Sequence, residues 1–280
     1  MAGCRRSLGA LSASRARRVE RLLLVFAAFS SLGMLFILAP LAALLVSVDP
    51  GTFAKVWLRD TPYARQAYPA LLRTLEASLV SSTLLLVIGI PLGYLLARSE
   101  FPGKRLVEAL VDVPLVIPHA VAGIMILLAY GRRGLLGGLA AALGLQVENG
   151  FWGIVASMMF VSFPLMVDVL KLGYERVGAS LELVARSLGA SPWMVFRRVT
   201  LPLILPHIAA GFLLSWARAM SEVGAILIVA YYPKTINVLI YEWFNNYGLR
   251  YAVALSAFVV LLSIAAFTAI RVLTRHDHGA

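Results

Sequence analysis

With 280 residues, 60% of them hydrophobic, and a mean hydropathy of +0.85, the chain is well above the roughly 45–50% apolar share of a soluble domain and reads as a polytopic membrane protein. Its formal net charge of +11 does not mark a nucleic-acid binder, because the arginines sit at the ends of apolar segments and form no single stripe. Cys4 is the only cysteine, which excludes an intrachain disulfide and a cysteine-based metal cluster.

Residues 1–21 carry Arg5, Arg6, Arg15, Arg17, Arg18 and Arg21 and little that could form a core. A largely disordered basic arm on the cytoplasmic side is expected there. The uncharged run over 22–48 exceeds the about 7–15 residues of a signal-peptide hydrophobic region, so a retained first transmembrane helix is expected. Residues 49–70 are mixed: Trp57, Tyr63 and Tyr68 suit a membrane interface, and Pro50, Pro62 and Pro69 break the stretch up. Further uncharged segments, extended by polar residues at their ends, predict spans over about 71–97, 108–130, 151–171, 203–232 and 250–272. Each approaches or exceeds the roughly 20 residues that cross about 30 Å of hydrocarbon. The expectation is an all-α protein of six spans, a transmembrane domain over 22–275, and a short tail over 276–280. Residues 134–145 are apolar but too short to cross, and predict a small interfacial helix on the outer face. In the second span, Gly89 and Gly93 have the small-xxx-small spacing that lets helices approach closely; ordinary packing is the plain reading.

Two spans carry residues that are costly in a membrane. The third opens with Pro114 and Pro118, which remove backbone donors and block straight helical continuation. Broken backbone at membrane depth survives only when buried in protein or lining a wet cavity. With His119 and Gly123 beside it, this segment either kinks for packing or borders a passage. The fifth span carries Arg218 and Glu222, one turn apart, with Ser221 between them. A charge near a helix centre costs roughly 2.5–3.5 kcal/mol on insertion scales, so such residues face a bundle interior, and at this spacing they can pair. Either the pair fixes helices together or the stretch faces a translocation route. The runs 230–236 and 243–248 are expected near the outer interface.

Between the fourth and fifth spans, residues 173–202 form a polar, basic island. Leu181, Val184, Ala185 and Leu188 recur at the spacing of one helix face, with Ser180 as a candidate N-cap and Gly189 as the residue that ends the helix. Ser191 and Pro192 start a second helix carrying Trp193, Met194 and Phe196 beside Arg197 and Arg198. Two short helices with an apolar face and a basic rim read as a docking surface for another protein; an amphipathic loop lying on the membrane is the alternative. With both termini inside, basic residues on the inner side outnumber those on the outer side about twofold, which puts this loop in the cytoplasm.

Gly189, nine residues, then Val199-Thr200-Leu201-Pro202 resembles the EAA loop of importer-type ABC transporter permeases, whose pattern is EAA, three residues, Gly, nine residues, Ile-x-Leu-Pro. Val199 replaces the isoleucine, positions 183–185 read Leu-Val-Ala, and the acid lies one place early at Glu182. The stretches 117–124, 215–235 and 238–244 are similar to the molybdate/tungstate branch of these permeases. The resemblance implies a type I importer permease (MetI-like) fold with both termini cytoplasmic, in which two copies of the chain pair around a translocation route in the cell membrane. It implies two cytoplasmic ATPase subunits, which bind the ATP and Mg²⁺ that this chain does not, and an external binding protein that delivers the oxyanion. By the same resemblance, Glu182, Ala185, Gly189, Ala190, Ser191, Trp193, Phe196, Arg197, Leu201 and Pro202 form the ATPase-coupling loop. The route-facing candidates are Pro114, Pro118, His119, Gly123, Arg218, Ser221 and Glu222.

A permease for sulfate or thiosulfate would use similar groups. A secondary transporter would often show inverted repeats or half-helices, and none is evident. An intramembrane enzyme lacks its motifs here: the chain has no HExxH, no G-x-S-x-G and no P-loop, and His119 and His207 have no evident partner cluster in the sequence. Without a P-loop the chain is expected to be a non-catalytic subunit.

Overall fold

The computed structural model describes the backbone of residues 2–275 and the side chains of residues 22–265 and 268. Its regular structure is helical throughout these residues. In chain order the helices are α1 (Ala2–Val46), α2 (Pro50–Trp57), α3 (Ala64–Arg98), α4 (Lys104–Val116), α5 (His119–Tyr130), α6 (Gly137–Ala142) and α7 (Phe151–Val177). After them come α8 (Ala179–Ser187), α9 (Pro192–Val195), a π-helical turn over Phe196–Thr200, α10 (Leu201–Leu203), α11 (Leu205–Met220), α12 (Gly224–Val229), α13 (Ile236–Tyr247) and α14 (Leu249–Arg275).

Three helices among the described residues are long and apolar enough to cross a membrane unaided: Leu22–Val46 within α1, α3 and α7, with mean hydropathies of 2.5, 2.1 and 1.9. A fourth appears if the pair Pro192–Leu203 and Leu205–Met220, bent by 65°, is one span. The predicted third span is two shorter helices, α4 and α5, and the predicted fifth is α11 and α12. The helix of residues 22–46 begins upstream, at Ala2, so the backbone of the predicted N-terminal arm is helical from residue 2. Residues 276–280, the predicted tail, lie outside the described residues.

The chain divides into two units, residues 1–54 with 249–280, and residues 55–248. In the first unit, most apolar side chains of Leu22–Val46 are exposed, as suits a surface facing lipid, with Leu41 and Leu44 half-buried. Asp49 ends the connection out of α1. Its Oδ2 accepts from the Thr52 amide at 2.8 Å and the Thr52 hydroxyl at 2.6 Å, and Arg250 Nη2 lies 2.7 Å away. The hydroxyl bond from Thr52, with Arg250 next, holds the Asp49 carboxyl down at about 2. Folding therefore lowers this pKa below the roughly 3.9 of an unfolded chain. The support it gives the first turn of α2 is complete above about pH 4 and is lost as pH falls through about 2. Exchange protection of the Thr52 and Phe53 amides, corrected for intrinsic rate, is expected to hold down to about pH 4 and to fall between about 4 and 2.

The second unit is built on α3, α7 and α11. Leu85, Met166, Leu170, Tyr174 and Ile204 form one buried cluster; Ile126, Ile154, Val155, Met158, Ile226 and Val229 form part of another. Lipid tails are as apolar as these side chains, so close approach and hydrogen bonding hold such helices together. Both are present. A Cβ on Gly93 would stand 3.0 Å from Leu170 Cβ and 3.2 Å from the Lys171 amide nitrogen, so the Gly89/Gly93 spacing seats α3 against α7. Trp216 Nε1 donates to Ser78 Oγ at 3.0 Å, and Ser215 Oγ donates to the Ser162 carbonyl at 3.4 Å. Thr74 Oγ1 accepts from the Ile236 amide at 2.8 Å.

Trp57 and Tyr68 are in edge contact, and the Tyr68 hydroxyl donates to the Trp57 carbonyl. Tyr63 and Tyr247 both meet the ring of the buried Trp243 edge-on. The aromatic residues read as interfacial thus pack largely on one another. At the start of α13, Thr235 caps by accepting from the Val238 amide. Lys234 bonds Glu242 at 2.6 Å and lies over the rings of Tyr231 and Tyr232. Burial pushes the Glu242 carboxyl up, but the bonds from Lys234 and Tyr231 outweigh it and hold the group below its usual range.

Candidate functional site

Residues 179–203 fold much as their spacing predicts, with one shift at the start. The first helix begins at Ala179, ahead of the expected Ser180 cap, because Gly178 at φ +70° makes the turn out of α7 two residues earlier. At its end Gly189 adopts φ +89°, the Gly189 amide reaches the Arg186 carbonyl at 3.0 Å and the Ala190 amide the Ala185 carbonyl at 3.2 Å. These are the two backbone bonds of a Schellman stop, which a residue with a Cβ would strain. Ser191 Oγ accepts from the Met194 amide, and Pro192 opens α9. The chain then widens into the π turn, where the Leu201 amide reaches back to the Phe196 carbonyl. Pro202 follows at the start of α10, and Pro206 at the start of α11; neither can donate to the preceding turn, and the axis bends between them.

The apolar face of this loop points outward. Leu181, Val184, Leu188 and Trp193 are all exposed, Leu188 by 83% and Trp193 by 69%. Trp193 stacks on Phe196, the centroids 5.7 Å apart. Ala185, Ala190 and Phe196 are half-buried, and Gly189, Ser191, Arg197 and Pro202 are exposed.

The inward side carries Glu182. Its Oε1 accepts from Arg98 Nε and Nη2, both at 3.0 Å, and from Thr200 Oγ1 at 3.0 Å; its Oε2 accepts from the Tyr94 hydroxyl at 3.3 Å. Both side chains of the ion pair are 11% exposed. Tyr94 also meets the rings of Tyr174 and Phe196 edge-on. Glu182 thus joins the first limb of the loop to Thr200 on its second limb and to the C-terminal turn of α3. Arg98, Tyr94 and Thr200 were not legible as its partners, since Arg98 lies 84 residues away. The available signal was Arg98 itself, a cation at the end of a long apolar helix.

A second cluster forms where two helices break. Ile117, extended because proline follows it, separates α4 from α5, and His119 is the first residue of α5. Residues 221–223 separate α11 from α12 with no proline there. Side chains take over: Asn237 Nδ2 donates to the Met220 and Glu222 carbonyls at 2.6 and 3.1 Å, and Glu222 Oε1 accepts from the Ala225 amide at 2.7 Å. Glu222 Oε2 lies 2.6 Å from His119 Nδ1 and 3.3 Å from Arg218 Nη1, and Arg218 Nη2 lies 3.1 Å from His119 Nε2. Arg218 Nη2 is also 3.4 Å from His119 Nδ1, so the imidazole edge lies against both the carboxylate and the guanidinium. His119, with no evident partner in the sequence, therefore has two. Glu222 is fully buried, whereas the Arg218 and His119 side chains are 25% and 47% exposed. Ser221 Oγ, 3.3 Å from Arg218 Nη1, is also at the exposed edge. Gly123 and Gly224 let α5 and α12 meet here, since a Cβ on Gly224 would come within 2.5 Å of His119 Cβ. Pro114 and Pro118 lie on the approach, half-buried and exposed. His207 joins neither cluster; its ring packs against Gly173. No group of three or more His, Cys, Asp or Glu that could hold a metal occurs among the described residues.

Residues 89–276 match the family described as "Binding-protein-dependent transport system inner membrane component". Over 254 residues the chain is 42% identical to the molybdate/tungstate transport system permease protein of Thermococcus kodakarensis, covering 91% of this chain and 96% of that one. Two solved structures share the fold. One is a bacterial alginate ABC transporter in complex with an alginate pentasaccharide-bound periplasmic protein, at TM-score 0.65 and 20% identity, over 90% of this chain and 94% of that one. The other is the MetNI methionine ABC transporter in an inward-facing conformation, at TM-score 0.60 and 18% identity, over 78% and 99%.

Proposed function

This chain belongs to the family of binding-protein-dependent transport system inner membrane components, and on that premise we propose that it is the permease subunit of an ATP-driven importer of molybdate and tungstate. It is a multi-pass membrane protein. The observation that carries the reading is loop 179–203: an apolar face turned outward, on helices fastened from behind by the buried Glu182. A loop lying on lipid needs no such fastening, whereas one that receives a push and passes it on does. The partner that fits is a cytoplasmic ATPase subunit, which binds the ATP and Mg²⁺ and performs the hydrolysis. The basic excess around the loop supports a cytoplasmic placement of the loop and both termini. The permease of Thermococcus kodakarensis supports the substrate class. Two copies of the chain would enclose the route, and an external binding protein would deliver the oxyanion.

Reconstitution with a candidate ATPase and a candidate binding protein tests this. Molybdate and tungstate are expected to stimulate ATP hydrolysis well above sulfate; equal stimulation by sulfate would move the assignment to a general oxyanion permease. Changing Leu188 and Trp193 together to serine and alanine is expected to reduce ATPase copurification at least tenfold, which corresponds to about 1.4 kcal/mol. Both side chains are mostly exposed, so the melting temperature is expected to stay put. Undiminished copurification would remove the docking role.

A further inference from the structure

Two of the arginine–glutamate pairs among the described residues, Arg98–Glu182 and Arg218–Glu222, are held in different ways, and the difference points to a further partner for Arg218. Arg98 is locked: two of its N–H groups reach one carboxylate oxygen at 3.0 Å, in a setting 11% exposed. Arg218 is loosely held. Its Nη1 lies 3.3 Å from both Glu222 and Ser221, long beside the roughly 2.7–2.9 Å of a charge-assisted bond. Its Nη2 has only the neighbouring imidazole, 3.1 Å from His119 Nε2, and its side chain is 25% exposed. Among the described hydrogen bonds, its Nε makes none.

Glu222 does not depend on Arg218 for satisfaction. His119 at 2.6 Å and the Ala225 amide at 2.7 Å engage both carboxylate oxygens, so the carboxylate stays paired if the guanidinium leaves. The cluster also sits where two helices are interrupted, and broken helices at membrane depth are the places where ions meet backbone and side-chain dipoles. Arg218 lies thirteen residues after Leu205 in α11, about 20 Å of helical rise from its start. That is deep within a span, where a bare dianion is costly.

Resting on the oxyanion-permease reading above, we propose that the Arg218 guanidinium is a transient seat for a tetrahedral dianion, exchanging its Nη1 contacts to Glu222 and Ser221 and its Nη2 contact to His119 for two oxygens of the passing ion. The planar fork of arginine suits two oxygens of one tetrahedral centre. Glu222, held by His119 and Ala225, keeps the seat weak enough to release.

The test is equilibrium binding of tungstate to the purified full-length chain in nanodiscs, with bound tungsten read by mass spectrometry. Wild type is expected to bind saturably. Arg218→Gln is expected to weaken binding at least tenfold, and Arg218→Lys, which keeps the charge but not the fork, less than that. Glu222→Gln is expected to tighten binding several-fold, because it removes the competing charge. That opposite sign is the signature a structural role would not produce. Absence of saturable binding by wild type, equal binding by Arg218→Gln, or weakening by Glu222→Gln would each overturn the seat. Should Arg218→Gln fail to fold, the sign of the Glu222→Gln effect still decides. Adding phosphatidylglycerol to zwitterionic discs is expected to leave binding unchanged; displacement of tungstate by that lipid would make the seat a headgroup site and overturn the proposal. Tungstate-stimulated ATP hydrolysis by the wild-type assembly, with Arg218→Gln unchanged in tungstate dependence, would sink the seat alone. No oxyanion-stimulated hydrolysis at all would sink the functional reading itself.

Discussion

Replacing Glu182 with alanine is expected to abolish substrate-stimulated ATP hydrolysis while the ATPase still copurifies. The docking face, Leu181, Val184, Leu188 and Trp193, points away from Glu182, so the first contact with the ATPase survives. The fastening behind it does not. Arg98 would be left with a buried charge and no carboxylate, and Thr200 and Tyr94 would each lose an acceptor. Removing one partner of a buried ion pair costs about 3–5 kcal/mol, and the lower end applies here because both side chains keep some contact with solvent. That loss falls on the connection between the loop and α3, so melting of the whole bundle is expected to shift less than the loop's own protease resistance. A double-mutant cycle over Arg98→Ala and Glu182→Ala is expected to give about 1–3 kcal/mol of coupling. Arg98→Lys keeps the charge but cannot present two N–H groups to one oxygen, and is expected to restore hydrolysis only in part. A coupling near zero, or normal stimulation in Glu182→Ala, would mean the loop transmits nothing through this pair.

Proline, glycine and spacing made part of this architecture legible. Pro118 foretold the interruption between α4 and α5, and Gly189 the stop after α8, because each acts on its own backbone wherever the chain goes. The period of Leu181, Val184 and Leu188 gave the helix but not the direction of its face, since an amphipathic pattern says one side is apolar without saying what covers it. The break at 221–223 had no local signal: the groups that make it tolerable are the side chains of Glu222 and Asn237, and Asn237 comes from a later helix. The partners of Glu182 and His119 were hidden for the same reason, 84 and 103 residues away in sequence. The i, i+4 pairing of Arg218 with Glu222 was legible because it needs only one helical turn, and the structure contains it; what the sequence did not show was that His119 makes the shorter contact. Ser180 illustrates the reverse error. A good capping residue was overruled by a glycine two places earlier, whose left-handed backbone turned the chain first.

Gly123→Val is expected to lower the melting temperature and stop transport together. A Cβ at this position would lie 2.8 Å from the Ala225 carbonyl oxygen and from Ile228 Cβ, and 3.1 Å from Ala225 Cα. Most of these are backbone or backbone-adjacent atoms of α12, which cannot rotate away as the end of a flexible side chain could. The methyls of valine deepen the clash, and overpacking of this kind costs about 1–3 kcal/mol, with the upper end expected against backbone. The displacement also falls on function. Ala225 donates its amide to Glu222, so pushing α12 off α5 draws the carboxylate away from His119. Gly123→Ala is expected to show both effects at smaller size. Gly138→Ala supplies the contrast: a Cβ there meets nothing within 4 Å, and a change below about 0.5 kcal/mol is expected. If Gly123→Val melted and transported like Gly138→Ala, the crossing of α5 and α12 would not hold His119 and Glu222 together. A lowered melting temperature with full transport would keep the packing argument and detach the cluster from the route.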